Sequence, residues 1–162
     1  MINKKIFTLL LITCLFSSNA KVGTAIYRWA EIESGARAIG MAGSQVASGH
    51  GISSLPYNPA SISFIKSNQI YAAKSSYLAG TSHNTLAFAS ALTPSDFLGV
   101  HLFYFDSGNM METTELNPTG TGQNFKFTGL LLRLSYAKHL TDRLKLGGTF
   151  KYFNEQTTSA DL

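Results

Sequence analysis

The residue types able to do chemistry are few in this chain, and they are scattered. His50, His83, His101 and His139 stand at least 18 residues apart, far from the short spacings of a metal-ligand set, so no metal is expected. The single cysteine, Cys14, sits in an apolar N-terminal run, which leaves the rest without a thiol for a disulfide, a ligand or a nucleophile. The glycine run from Gly35 to Gly43 lacks the Gly-Lys-Ser/Thr ending of a phosphate loop and follows no strand-like stretch, so nucleotide binding is not expected. A hydrolase dyad of a serine with His50 or His101 would have neither a nucleophile elbow nor an apparent carboxylate to orient the imidazole. No enzyme and no cofactor are expected. Arg133, Lys145 and Lys151 remain, cations that share the polar faces of two strand-like runs. They could attract an anionic headgroup, or form salt bridges with acids nearby, and the second reading carries more weight.

The elements that must position these groups begin with an export leader. Lys4 and Lys5 form a positive n-region, Ile6 to Phe16 an apolar h-region, and Ser18-Asn19-Ala20 a small-residue cleavage site. The apolar run is about half the roughly 20 residues a membrane-spanning helix needs, and no later stretch approaches that length. If the exported chain meets a membrane, it does so with strands. Lipidation at Cys14 is not expected, because Thr13 replaces the small residue required before an acylated cysteine and the apolar run continues past it. Without the leader, 11 Lys and Arg face 9 acids, a balance too weak to suggest nucleic acid. Charged residues make up 14%, aromatics 12%, and Gly numbers 14, which suits glycine-punctuated strands.

From Asn68 the apolar period is near two. Five strands are predicted, over Gln69–Leu78, Asn84–Leu92, Phe97–Phe105, Lys126–Lys138 and Leu144–Phe153. In the fourth, Leu130, Leu132, Leu134 and Tyr136 oppose Gly129, Arg133, Ser135 and Ala137, with Leu131 as an apolar exception. In the fifth, Leu144, Leu146, Phe150 and Tyr152 oppose Lys145, Gly147, Thr149 and Lys151. An apolar face closed by tyrosine, opposite a small or charged face, is the pattern of a transmembrane barrel strand. A soluble β-sandwich would show a similar inner face. Against it stand strand lengths near 10 residues and connections that alternate in character: Thr93–Asp96 and His139–Arg143 are tight, while Asp106–Asn124 on the other side is long and polar. In such a barrel, arginine at Leu132 near the midplane is expected to cost about 2–4 kcal/mol. Arginine at Ser135 is expected to be far milder.

Between the leader and the first strand, Ser34-Gly35-Ala36-Arg37-Ala38-Ile39-Gly40-Met41-Ala42-Gly43-Ser44 precedes Leu55-Pro56-Tyr57-Asn58-Pro59-Ala60-Ser61-Ile62. Glycines among small residues permit tight turns, and Asn-Pro forces extended or turned backbone, so a compact insert without strands is predicted. Here the chain resembles the FadL-type outer-membrane barrels and their PorV-like relatives, in which a Gly-Ala-Arg-Ala-x-Gly-Met-x-Gly run leads to Asn-Pro-Ala ahead of the first strand. The resemblance continues through Leu134-Ser135-Tyr136-Ala137-Lys138, Leu144, Gly147 and Lys151-Tyr152. It departs at Gly49-His50, where relatives often carry an acidic pair.

With residues 1–20 read as a signal peptide, the resemblance implies an all-β fold, with residues 21–67 a hatch inside the barrel and 68–162 the first five or so strands of an antiparallel transmembrane β-barrel. Gly35, Arg37, Gly40, Gly43, Asn58, Pro59 and Ala60 form the implied hatch motif, while Gly99, His101, Arg133, Lys145 and Lys151 line the implied lumen or lateral path. In FadL-type relatives a kinked third strand opens sideways to the bilayer, and Gly99 is the matching candidate; alternatively it makes room for a hatch side chain. Five strands alone would leave two unpaired edges in lipid, so the chain is expected to be the N-terminal portion of a longer barrel. The implied function is passage of hydrophobic small molecules such as long-chain fatty acids across an outer membrane, with membrane lipid and the ligand as partners. The alternative is a PorV-like component of protein secretion and surface attachment, with secreted proteins as partners.

The leader makes a direct prediction: N-terminal sequencing of the exported protein should begin at Lys21. A start far from Lys21, or an acylated Cys14, would contradict it.

Overall fold

The computed structural model describes residues 28–49 and 51–160. The expected leader with its cleavage site, Cys14, and His50 lie outside the described residues. Five strands form one sheet in chain order, every neighbour antiparallel: β1 Gln69–Ser76, β2 Ser82–Ala91, β3 Asp96–Met111, β4 Asn124–His139 and β5 Lys145–Ala160. The sheet is open, with β1 and β5 at its edges, and does not close into a barrel.

The five predicted runs all form strands, but β3 continues to Met111 and β5 to Ala160, beyond the predicted ends at Phe105 and Phe153. The extensions lack apolar alternation, and pairing with β4 holds them: Met111 lies opposite Asn124, and Ala160 opposite the same residue on its other side. The polar connection predicted over 106–124 is therefore shorter, 112–123. β1 ends earlier than predicted, at Ser76, where Leu78–Gly80 makes a 3₁₀ turn with Ala79 and Gly80 at positive φ.

Register carries each face straight across the sheet. Ala72, Leu86, Leu102, Leu132 and Tyr152 form one transverse row, and Ile70, Phe88, Val100, Leu134 and Phe150 the next. This face is uncovered, with Phe88, Leu132, Leu134 and Phe150 all exposed. On the opposite face the rows read Tyr71, Ala87, His101, Arg133, Lys151 and Gln69, Ala89, Gly99, Ser135, Thr149. The second face is covered by residues 28–65, which contain no strand: helices α1 Ala36–Gly40 and α2 Gln45–Ser48 are joined to 3₁₀ turns at Arg28–Glu31, Ile52–Ser54 and Pro59–Phe64.

Two apolar clusters weld this helical segment to the sheet. Ile52, Leu55, Ile62 and Ile65 pack on Ala87, Ala89, Phe97 and Ala137. Trp29 packs with Phe103, Phe105 and Leu131, its ring 5.9 Å from that of Phe103. Leu131, the apolar exception on the polar face of β4, thus belongs to a core and is 1% exposed. Burial of such side chains stabilises by about 1.5–3 kcal/mol each.

Close docking depends on sheet positions that carry no side chain. A Cβ at Gly129 would lie 2.5 Å from the Trp29 indole, and one at Gly147 would lie 2.5 Å from the Ala60 backbone nitrogen. The expectation that Ser135 would tolerate arginine is corrected by the same packing: Ser135 is fully buried and its hydroxyl shares a 2.7 Å hydrogen bond with Thr149. A guanidinium there would be buried against packed neighbours.

Gly147 and Gly148 provide a matched test, because a Cβ at Gly148 meets nothing within 4 Å. Gly147→Ala is expected to lower unfolding stability by about 1–3 kcal/mol through overpacking against backbone, and Gly148→Ala to leave it nearly unchanged. Thermal unfolding monitored by Trp29 fluorescence would measure the difference.

Candidate functional site beneath the helical segment

The residues with chemical potential converge on the covered face of the sheet. His101, Arg133 and Lys151 are cross-strand neighbours on β3, β4 and β5, in the row that also holds Tyr71 and Ala87. His101 is fully buried, and Arg133 is 7% exposed. The Arg133 guanidinium donates to Nδ1 of His101 at 3.0 Å. A guanidinium has no acceptor, so Nδ1 must accept, and the imidazole is neutral with its hydrogen on Nε2. The pair therefore buries one positive charge rather than two.

Above this row lies a cavity of about 290 Å³, lined by Arg133, Lys151 and Phe103 from the sheet and by Ser34, Tyr57 and Glu31 from the helical segment. Tyr57 is a neutral phenol here: burial, and then the Glu33 carboxylate, push it above its ordinary value. Two cations from the sheet and hydroxyl groups from above make a pocket suited to an anionic group, while Glu31 brings a carboxylate to its rim. Glu31 also pairs with Arg28 at 3.4 Å.

Lys145, grouped with Arg133 and Lys151 in the expected cationic set, stands apart from them. It is at the start of β5, with its ammonium 3.9 Å from the Phe64 ring centroid. Nearby, His139 Nε2 lies 2.7 Å from the Ser63 carbonyl oxygen, so the end of the helical segment is pinned where β4 turns into β5. Gly99 pairs without irregularity with Ala89 and Ser135, and the space beside it is occupied by Leu55 and Ile62, whose methyl carbons would lie 3.0 and 3.2 Å from a Cβ. The register shift in β3 falls farther along, between Asp106 and Asn109.

The residues of the expected hatch motif divide by role. Gly35 (φ 104°) and Gly43 (φ 80°) hold the left-handed backbone that favours glycine, with Tyr71 and Glu33 filling the space a side chain would take. Asn58 caps the 3₁₀ turn that follows, accepting from the Ala60 N–H at 3.0 Å and donating to the Val46 carbonyl at 2.9 Å. Pro59 and Ala60 bring their backbone down onto Gly147. Arg37 is exposed and lines a second cavity, of about 310 Å³, with Tyr71 and Gln45. Nothing in the structure explains a glycine at position 40.

Two contributors were not singled out from sequence. Trp29 donates its indole N–H to Glu155 at 2.7 Å, joining the first described turn to β5. Tyr57 lies inside the quoted Leu55–Ile62 segment. The available signal was that Trp29 is the chain's only tryptophan.

Among the described residues no group of His, Cys, Asp or Glu could hold a metal ion, and no helix is long and apolar enough to cross a membrane. Compared with protein-family models, curated proteins and solved structures, the chain gives no match.

Trp29→Phe keeps the aromatic packing but removes the donor to Glu155. It is expected to cost about 1.5–3 kcal/mol, the range for a hydrogen bond to a charged group. Glu155→Gln, which keeps an acceptor, should cost less. Denaturant midpoints of the three proteins would decide the order.

Proposed function

We propose that this chain is the N-terminal portion of a FadL-type outer-membrane barrel that passes hydrophobic small molecules, with residues 28–65 as its hatch. The observation that carries this reading is the inversion of faces. The uncovered face is apolar across five strands, whereas the face packed against protein bears His101, Arg133, Ser135 and Thr149. A sheet facing water on its open side would alternate the other way, and an exposed apolar patch of this extent marks an interaction surface. Lipid is the partner that asks for no specific shape. The connections agree with the barrel order, tight at Leu92–Ser95 and Leu140–Leu144 and longest at 112–123 on the opposite side.

The cavity over Arg133 and Lys151 favours a ligand with an anionic head, and the apolar groups around it favour a greasy body. A fatty acid has both.

In the cells that make it, the protein should sediment with outer membranes, resist carbonate extraction and shift in gel mobility on heating. Cells deleted for the gene should take up labelled long-chain fatty acid more slowly. Arg133→Met should reduce uptake of the acid more than that of the matching fatty alcohol. A carbonate-soluble protein would overturn the barrel reading. Membrane location with unchanged uptake, and with secreted proteins held in the periplasm of the deletion strain, would transfer the function to the PorV-like alternative.

A further inference from the structure

We propose that two ion pairs on the uncovered face, Asp96–Lys138 and Asp106–Lys126, mark the two water boundaries of the bilayer and fix the depth at which the sheet sits. This rests on the barrel reading above and adds its vertical position. Both pairs join β3 to β4, and in each the ammonium lies 2.8 Å from a carboxylate oxygen. Between them, on these two strands, the uncovered face carries no charge: Leu98, Val100, Leu102 and Tyr104 on β3 run beside Leu130, Leu132, Leu134 and Tyr136 on β4.

The spacing fits a membrane. Positions 96 and 106 are ten residues apart on one strand, which at about 3.3 Å per residue is roughly 33 Å along the strand. Tilted by about 40°, as barrel strands are, that length projects to roughly 25 Å, the height of the apolar band of an outer-membrane barrel. One pair alone could stand anywhere; two pairs at this separation, on the same two strands and the same face, define a slab.

The neighbours of each pair are those of a membrane–water boundary. Tyr136 donates its hydroxyl to Asp96, which also accepts from Thr93 and Ser95 in the adjoining turn, so a ring lies at the band's edge with its polar tip turned to water. At the other end, Tyr104 lies one row inside Asp106; Asn154 of β5 shares the Tyr104 row, and Thr128 and Gln156 share the Asp106 row, so polar side chains take over the uncovered face there. Lys74 of β1 belongs to the Tyr104 row, where a lysine stem can run along lipid and release its ammonium at the surface. The long polar ends of β3 and β5, which have no apolar alternation, then stand above the bilayer rather than in it.

Depth can be read with nitroxide labels on the native-length protein in phosphatidylcholine liposomes, using single cysteines in a Cys14→Ala background. Leu98→Cys, Val100→Cys, Leu102→Cys and Tyr104→Cys sample the band. Thr128→Cys and Leu146→Cys sample the rows of Asp106 and Lys138 without replacing a member of either pair. Oxygen accessibility should peak at Val100 and Leu102. Accessibility to a water-soluble nickel complex should be lowest there and rise at Thr128 and Leu146 alike. A maximum displaced to either end, or boundary labels as shielded as Leu102, would overturn the assigned depth while leaving the barrel intact. Nickel access uniformly high at all six positions would instead remove the lipid-facing reading on which the depth rests.

Discussion

The arrangement of this molecule depends on how closely a helical segment can lie against a sheet. Side chains keep even two stacked sheets about 10 Å apart, but here the backbone of Pro59 and Ala60 rests on β5, and the Trp29 indole rests on β4. Both contacts require glycine in the strand beneath, at Gly147 and Gly129. Small residues continue the floor, with Ala87, Ala89, Ser135 and Ala137 all buried under the segment. Once that floor is in place, Leu55 and Ile62 reach the sheet, the apolar clusters form, and the other face is left to carry most of the large hydrophobic side chains.

Polar groups trapped under the segment follow from the same closeness. Arg133 and His101 sit where water is largely excluded, so their mutual hydrogen bond and the neutral state of the imidazole are set by what the guanidinium can offer, which is donors only. The cavity between this row and Tyr57 is the place where the two layers do not quite meet. Its cationic floor and phenolic roof arise because one layer supplies Arg133 and Lys151 and the other supplies Tyr57 and Ser34.

Much of the sheet was legible in the chain because a period of two leaves no freedom: once Leu130, Leu132 and Leu134 share a face, Arg133 and Ser135 must share the other. The strand ends were less legible. Asp106 to Met111 and Asn154 to Ala160 have no apolar rhythm, and they are strands only because β4 pairs with both. The docking of the helical segment was hardest to read, since it depends on absent side chains. Gly99, Gly129 and Gly147 look alike in sequence; one admits leucine and isoleucine methyls, one an indole and one a peptide backbone. Leu131 was the visible hint, an apolar residue among polar ones that marks where Trp29 lands. The cationic trio resolved into a pair and a separate lysine because strand register, not residue type, decides which cations meet.

The segment that covers the sheet precedes it in the chain, so the apolar groups that pack on β2, β3 and β4 are synthesised before those strands are. A cover made first can settle as the strands beneath it pair, and the sheet then folds onto an object already in place rather than receiving one afterwards. Chain order thereby becomes an order of assembly.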